Sequence, residues 1–242
     1  MRYAIVGGTN MDEIPVPYRE QPVVTPYGDV IVYRGTLNDG QDVVFLSRHG
    51  VLERVDPPDI NYRANVYALY TLGVTHVIGL SSVGACDYSY KLGTVCLIND
   101  FIDFTKNRIL SFDRKHRLAL HTGMEDVFCP DLSDELEELI LAHKLPYSGR
   151  AIYACTEGPR FETSSEVRMF RMLGAQIIGM TLVPEAPLVR DLGLRYSAVG
   201  IVANYCTGMT SYVSDKDIEG VMYDMRESVF DVCFELIRRH RN

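Results

Sequence analysis

A single α/β domain is the architecture this sequence predicts, and three observations predict it. Short apolar runs rich in Val, Ile and Tyr alternate with stretches of helical periodicity along all 242 residues, the rhythm of an α/β fold. Several of the runs are apolar throughout, as strands covered on both faces must be. No composition shift, linker or fixed-period repeat divides the chain, so the expectation is one domain over residues 1–242, long enough to bury a sizeable core without disulfides or metals.

In order, the expected strands cover 2–6, 30–34, 43–46, 76–80, 94–98, 151–155, 176–180 and 196–203. The expected helices cover 62–72, 133–143, 164–173, 184–192 and about 214–240. The second helix begins at Ser133 because acids at Glu135 and Glu137 suit a helix N-terminus. The last helix is the clearest. Ile218, Val221, Met222, Met225, Val229, Val232, Leu236 and Ile237 recur at three- and four-residue steps, which makes one apolar stripe, and Ser214 or Asp215 is placed to cap its start.

A formal charge of −8 argues against a nucleic-acid or polybasic membrane-binding surface, though a local cluster of bases can still hold a small anion. No run approaches the ~18 apolar residues of a membrane span. The start of the chain has a short apolar run with glycines directly after it, unlike a secretion signal. Six scattered cysteines form no CxxC pair and have no histidine at metal-ligand spacing. They read as reduced, mostly buried thiols, and the expected location is the cytoplasm.

The strand ends carry the functional information. Polar, mostly glycine-containing segments come directly after six of the strands: Gly7-Gly8-Thr9, Ser47-Arg48-His49-Gly50, Ser81-Ser82-Val83-Gly84, Thr156 to Glu162, Met180-Thr181, and Asn204-Tyr205-Cys206. Ligands of open α/β sheets bind outside the carboxyl ends of the strands, so these segments are expected to converge on one site. Gly7-Gly8-Thr9 lets backbone N–H groups approach an anion beside a hydroxyl, although it has neither dinucleotide nor P-loop spacing. Arg48 offers fixed, always-charged donors suited to phosphate. Ser81 and Ser82 add hydroxyls. Phe161 has a face that stacks on a flat heterocycle, Glu162 accepts ring N–H groups, and the Asn204 amide both donates and accepts. Taken singly, each also has a structural reading: Phe161 as core, Glu162 as a solvated acid, Asn204 as a turn residue. The chain carries no GxSxG elbow, HExxH or kinase signature. With no covalent nucleophile in view, the reaction that suits such a site is one in which a bound anion is itself the nucleophile.

These segments, in this order, resemble the trimeric purine nucleoside phosphorylase family, and within it the methylthioadenosine phosphorylase branch. The matching stretches are Ile5 to Thr9, Ser47 to Gly50, Asn61 to Asn65 with Ala68-Leu69, Thr75 to Ile78, Phe101 to Asp103, Phe128 to Pro130, Glu157 to Phe161, and Met180-Thr181 with Val183 to Ala186. The resemblance implies a twisted mixed central sheet flanked by helices, and a homotrimer, or a dimer of trimers, with sites at subunit interfaces. The implied reaction is reversible phosphorolysis of purine nucleosides, with no metal or organic cofactor. Matched motif by motif, phosphate falls to Thr9, Arg48, His49, Ser81, Ser82 and Thr181, the ribose to Met180, and the base to Phe161. His121 matches the histidine that a neighbouring subunit sends toward the 5′ end of the sugar.

Two departures from the adenine-specific pattern bear on the substrate. Adenine-specific members carry Asp-x-Asp where this chain reads Asn204-Tyr205-Cys206. A carboxylate accepts from the 6-amino group, whereas Asn204 donates to a 6-oxo group and accepts from a protonated N7. Glu162 comes directly after Phe161 as in the 6-oxopurine phosphorylases, where the acid accepts from N1–H, a proton adenine lacks. Both changes point to hypoxanthine or guanine nucleosides, with Asn204, Glu162 and Arg48 as the groups that carry the chemistry. At the 5′ end the alignment places Asp215 and Ile218, one polar and one apolar, so inosine, guanosine and 5′-methylthioinosine all fit. The competing readings are an adenine-specific methylthioadenosine phosphorylase, a nucleosidase that uses water, and a nucleoside-binding protein without turnover.

Overall fold

The computed structural model describes residues 1–8, 11, 14–50, 54–210 and 215–240, without the side chain of Asp215. Its strands and helices come in the order β1 (Tyr3–Gly7), β2 (Tyr18–Val23), β3 (Val30–Thr36), β4 (Asp42–Ser47), α1 (Tyr62–Thr71), β5 (His76–Ala85), β6 (Val95–Phe104), α2 (Pro130–Ala142), β7 (Tyr147–Thr156), α3 (Ser164–Met172), β8 (Ile177–Gly179), α4 (Leu182–Asp191), β9 (Arg195–Tyr205) and α5 (Asp215–Arg239). Among the described residues the strands form one mixed sheet in the order β2-β3-β4-β1-β5-β8-β7-β6-β9.

The apolar runs read as strands because both sheet faces are covered. Along β1, Tyr3 and Ile5 join an apolar cluster with Leu136 of α2 and Phe230 and Leu236 of α5. Ala4 and Val6, between them, join a second cluster with Val66 and Leu69 of α1 and Leu188 and Val189 of α4. Alternation to two different apolar surfaces leaves no polar position in the strand. The stripe on α5 faces the sheet as its periodicity predicts: Met222, Val229, Val232, Leu236 and Ile237 are buried.

The sheet is not open from end to end. β9 pairs in parallel with β5 as well as antiparallel with β6, which closes β5, β8, β7, β6 and β9 into a ring. The other four strands extend from that ring as an open sheet. This closure corrects the expectation of polar loops beyond the strand ends. Ser81-Ser82-Val83-Gly84 lies inside β5, and Asn204 and Tyr205 are the last residues of β9. The strands run on because β5 needs the length to pair with both β8 and β9.

Other elements also differ: β6 runs on to Phe104, β7 starts at Tyr147 and α4 at Leu182, each beyond its expected bounds. β2 is an additional strand: its sequence, YREQPV, is exposed along most of its length, so it carries no apolar signal, and Pro22 is tolerated where a strand borders only one neighbour. α2 begins at Pro130 rather than Ser133. Pro at the first position gives up an N–H that needs no partner there, and Ser133 is buried one turn in, against Ser197 Oγ at 2.9 Å.

Candidate active site

β1, β4, β5 and β9 run parallel, so Gly8, Arg48, Ser82 and Asn204 come to the same edge of the sheet. β8 is antiparallel to β5, with Ile177 opposite Ala85 and Ile178 opposite Gly84. It therefore travels back along β5 and delivers Met180 and Thr181 beside Ser81. The β7–α3 connection closes the far side. Between these segments lies a cavity of ≈ 690 Å³ whose wall includes Arg48, His49, Ser81, Ser82, Phe161, Glu162, Met180, Thr181, Asn204 and Ile218.

At one end of the cavity the polar groups are tied to the protein. Arg48, although charged, is 1% exposed. Its Nε donates to Glu185 Oε2 at 2.6 Å and its Nη2 to Glu185 Oε1 at 2.9 Å. Nη1 donates to Leu80 O at 2.9 Å and Nη2 also to Val6 O at 3.3 Å. Burial alone would lower the Arg48 pKa, but the Glu185 carboxylate outweighs it and holds the guanidinium protonated. Gly8 is required here by close approach: a Cβ at this position would sit 2.8 Å from Nη1. Ser81 Oγ and Thr181 Oγ1 are 3.2 Å apart, and the Thr181 N–H donates to the buried Tyr153 hydroxyl at 3.1 Å. His49, half-buried, has its Nδ1 2.9 Å from Val55 O. Burial, with the charges of Arg48 and Arg54, pushes its pKa below the ordinary histidine value. Hydroxyls, glycine-flanked backbone and a fixed guanidinium make a receptor for a small anion.

The other end suits a flat heterocycle. Glu162 is buried, contrary to its reading as a solvated acid. Its Oε1 accepts from Thr156 Oγ1 at 2.6 Å. Burial raises its pKa above the usual carboxylate value, more than the Thr156 bond lowers it. Directly after it, Thr163 and Glu166 form a capping box at the start of α3, and Arg160 donates to both Glu166 oxygens at 2.8 and 2.9 Å. That bracing fixes the short path from Phe161 to the helix. Phe161 is 44% exposed with its ring at the cavity wall, so it is not core. Asn204 is half-buried, and its Nδ2 donates to Tyr205 O at 3.1 Å.

Not every expected residue arrives. His121 is exposed on the segment between β6 and α2, away from the cavity of its own chain. Thr9 and the side chain of Asp215 lie outside the described residues. Sequence reasoning also missed three residues. Glu185 lies among the buried apolar Leu182, Val183, Ala186, Leu188 and Val189, and an acid inside such a run is a readable sign that it needs a cationic partner. Arg108 donates to Met180 O, Val183 O and Glu157 O, each at 2.6 Å, tying the β8–α4 turn to the β7–α3 connection; nothing in its neighbourhood marks it. Glu219 stands in the wall beside Ile218.

Residues 2–238 match the family model described as the phosphorylase superfamily. A 6-oxopurine nucleoside phosphorylase from Pyrococcus furiosus is 41% identical over 216 residues, covering 86% of this chain and 81% of that protein. An S-methyl-5′-thioadenosine phosphorylase from the same organism is 39% identical over 230 residues, covering 94% and 88%. Among solved structures, a methylthioadenosine phosphorylase from an antarctic soil metagenomic library superposes with a TM-score of 0.89 at 31% identity, covering 99% of this chain and 87% of that one.

Proposed function

This chain belongs to the phosphorylase superfamily, and we propose that it is a purine nucleoside phosphorylase that acts on 6-oxopurine nucleosides. The observation that carries the reading is the pairing within one cavity of an anion-binding end, at Arg48, Ser81 and Thr181, with a base-binding end at Glu162 and Asn204.

Phosphate is held by Arg48, His49, Ser81, Ser82 and Thr181, and by Thr9, which follows Gly8 in the sequence. It attacks C1′ as the bond to N9 breaks, and the sugar passes through a cation-like transition state that the phosphate oxygens stabilise. The electron pair of the C1′–N9 bond leaves with the base, which takes up at N7, by way of solvent, the proton that hydrogen phosphate gives up as its oxygen bonds to C1′. Asn204 donates to O6 and accepts from the protonated N7. Ionised Glu162 accepts from N1–H, and Phe161 lies against the ring face. Positioning and charge supply the acceleration, since no protein group bonds to the substrate. Phosphate is itself the nucleophile, and the proposed reaction uses no metal or organic cofactor.

Near the 5′ end the wall carries Ile218, and inosine, guanosine and 5′-methylthioinosine all remain within the proposed substrate class. The segment 105–129 carries exposed Ile109, Leu110, Leu118, Leu120 and Met124 together with His121. Such a surface suits contact with another copy, in keeping with a homotrimer in which His121 completes a neighbour's site. Among the described residues no helix is long and apolar enough to cross a membrane, and the six cysteines are free, in keeping with a reduced cytoplasmic setting. Incubating inosine with the protein, with and without phosphate, tests the reaction. Ribose 1-phosphate formed only with phosphate is the expected product; ribose formed in its absence would favour the nucleosidase.

A further inference from the structure

The acid that clamps Arg48 is more than a fold contact. Arg48 and Glu185 side chains are 0% and 3% exposed, so their charges face each other with almost no water between. A guanidinium has five N–H donors. Two go to Glu185, one to Leu80 O and one to Val6 O, which leaves one on Nη1, the atom that Gly8 approaches. Glu185 is held in turn: Tyr196 OH donates to its Oε1 at 2.6 Å, and Gly79 leaves the Tyr196 hydroxyl the room that a Cβ would occupy. Stability does not explain this chain of contacts, because a buried ion pair roughly breaks even against apolar side chains of the same volume, and Val183, Ala186, Leu188 and Val189, around Glu185 on α4, are apolar and buried.

We propose that Glu185 is a positioning residue that acts through Arg48, fixing the plane of its guanidinium and cancelling its charge, so that the cavity holds phosphate by hydrogen bonds rather than by net positive charge. This inference rests on the phosphorolytic reading above. Its consequence is kinetic. A full positive charge at this point would bind ground-state phosphate tightly and draw electron density away from the oxygen that attacks C1′. Binding energy spent on the ground state does not lower the barrier. With the pair neutral, phosphate binds more loosely and keeps its negative charge for the cationic sugar.

The test is steady-state kinetics of inosine phosphorolysis in the full chain, with phosphate and inosine varied separately. Glu185→Gln keeps the shape and removes the charge. The expected result is a phosphate KM lowered about tenfold, a kcat lowered at least as far, and an unchanged inosine KM. A clamp with only a structural role would raise the phosphate KM, and a raised or unchanged phosphate KM overturns the proposal. Tyr196→Phe gives a second reading if the Gln variant does not fold. Without the tyrosine donor the carboxylate draws more strongly on Arg48, so the phosphate KM should rise roughly two- to threefold with kcat undiminished and the inosine KM unmoved; a fall in kcat alongside the higher KM, as a loosened structure would give, or no change in phosphate KM, counts against the clamp. Base release by the wild-type protein without phosphate would remove the phosphorolytic reading and this inference together. Phosphate dependence in the wild type combined with the wrong direction in Glu185→Gln would remove only the clamp.

Discussion

The two ends of the cavity are built on opposite plans. At the Arg48 end the polar groups are committed to the protein: a buried bidentate ion pair, a tyrosine holding that pair, and a serine and threonine in contact. At the Glu162 end a buried carboxylate has one oxygen on Thr156, Asn204 turns its amide to the next residue's carbonyl, and Phe161 presents an exposed ring. Under the proposed reaction, phosphate is the same in every turnover, so its site can be rigid in advance. The base is what must be told apart, and a site whose buried hydrogen-bonding capacity is completed by the right ligand rejects the wrong one most strongly. The cost appears in the pKa of Glu162, which burial raises.

The largest effect should come from breaking the committed end. Arg48→Ala leaves Glu185 buried without its counter-charge, and stability to urea should fall by about 3–5 kcal/mol. The double change Arg48→Met with Glu185→Met should recover most of that stability while phosphorolysis stays lost. A single variant as stable as the parent would mean the pair is not the keystone of this corner.

Glu162→Gln should behave in the reverse manner, losing function while gaining stability. The kcat/KM for inosine should drop about 100-fold, since the amide must turn its oxygen to N1–H and forfeits the charge-assisted bond. Because the folded pKa of Glu162 is raised, the stability linked to its protonated form is present at low pH and lost as pH rises through that pKa. At neutral pH the ionised buried carboxylate is a net cost, so the Gln variant should melt higher than the parent at pH 7, with the gain shrinking as pH approaches about 4. The same sign governs activity. Inosine cleavage by the parent should fall on the acid side at a pH above the ordinary Glu value of about 4.3, and that limb should vanish in Glu162→Gln.

Two smaller changes sharpen the comparison. Asn204→Asp removes the donor to O6 and should move the adenosine-to-inosine ratio of kcat/KM about tenfold toward adenosine. Phe161→Leu loses only ring contact and should raise the nucleoside KM by about 3- to 10-fold with the phosphate KM unmoved. An equal rise in both would mean the two ends are not separable.

Much of this arrangement was legible in the sequence for a physical reason. Strands buried on both faces leave continuous apolar runs, and polar residues that end such runs, like Arg48, have nowhere to go but the sheet edge. What escaped depended on pairing between distant strands. The ring closed by β9 on β5 turned Ser81 to Gly84 from loop into strand, and no local pattern encodes that partner. β2 escaped because an exposed edge strand needs no apolar residues. Glu162 looked solvated because an acid's burial depends on what packs over it, here the connection braced by Thr163, Glu166 and Arg160. Arg108 was invisible for a similar reason: its short hydrogen bonds go mostly to backbone carbonyls, which any sequence supplies.

Selection of 6-oxopurines by the Glu162–Asn204 end is tested most directly by the kcat/KM for phosphate-dependent base release from inosine, guanosine, adenosine, 5′-methylthioinosine and 5′-methylthioadenosine under one set of conditions. Release is expected from the 6-oxo members, inosine, guanosine and 5′-methylthioinosine, with adenosine and 5′-methylthioadenosine lower by about 100-fold or more. Equal or faster release from adenosine or 5′-methylthioadenosine would contradict that selection.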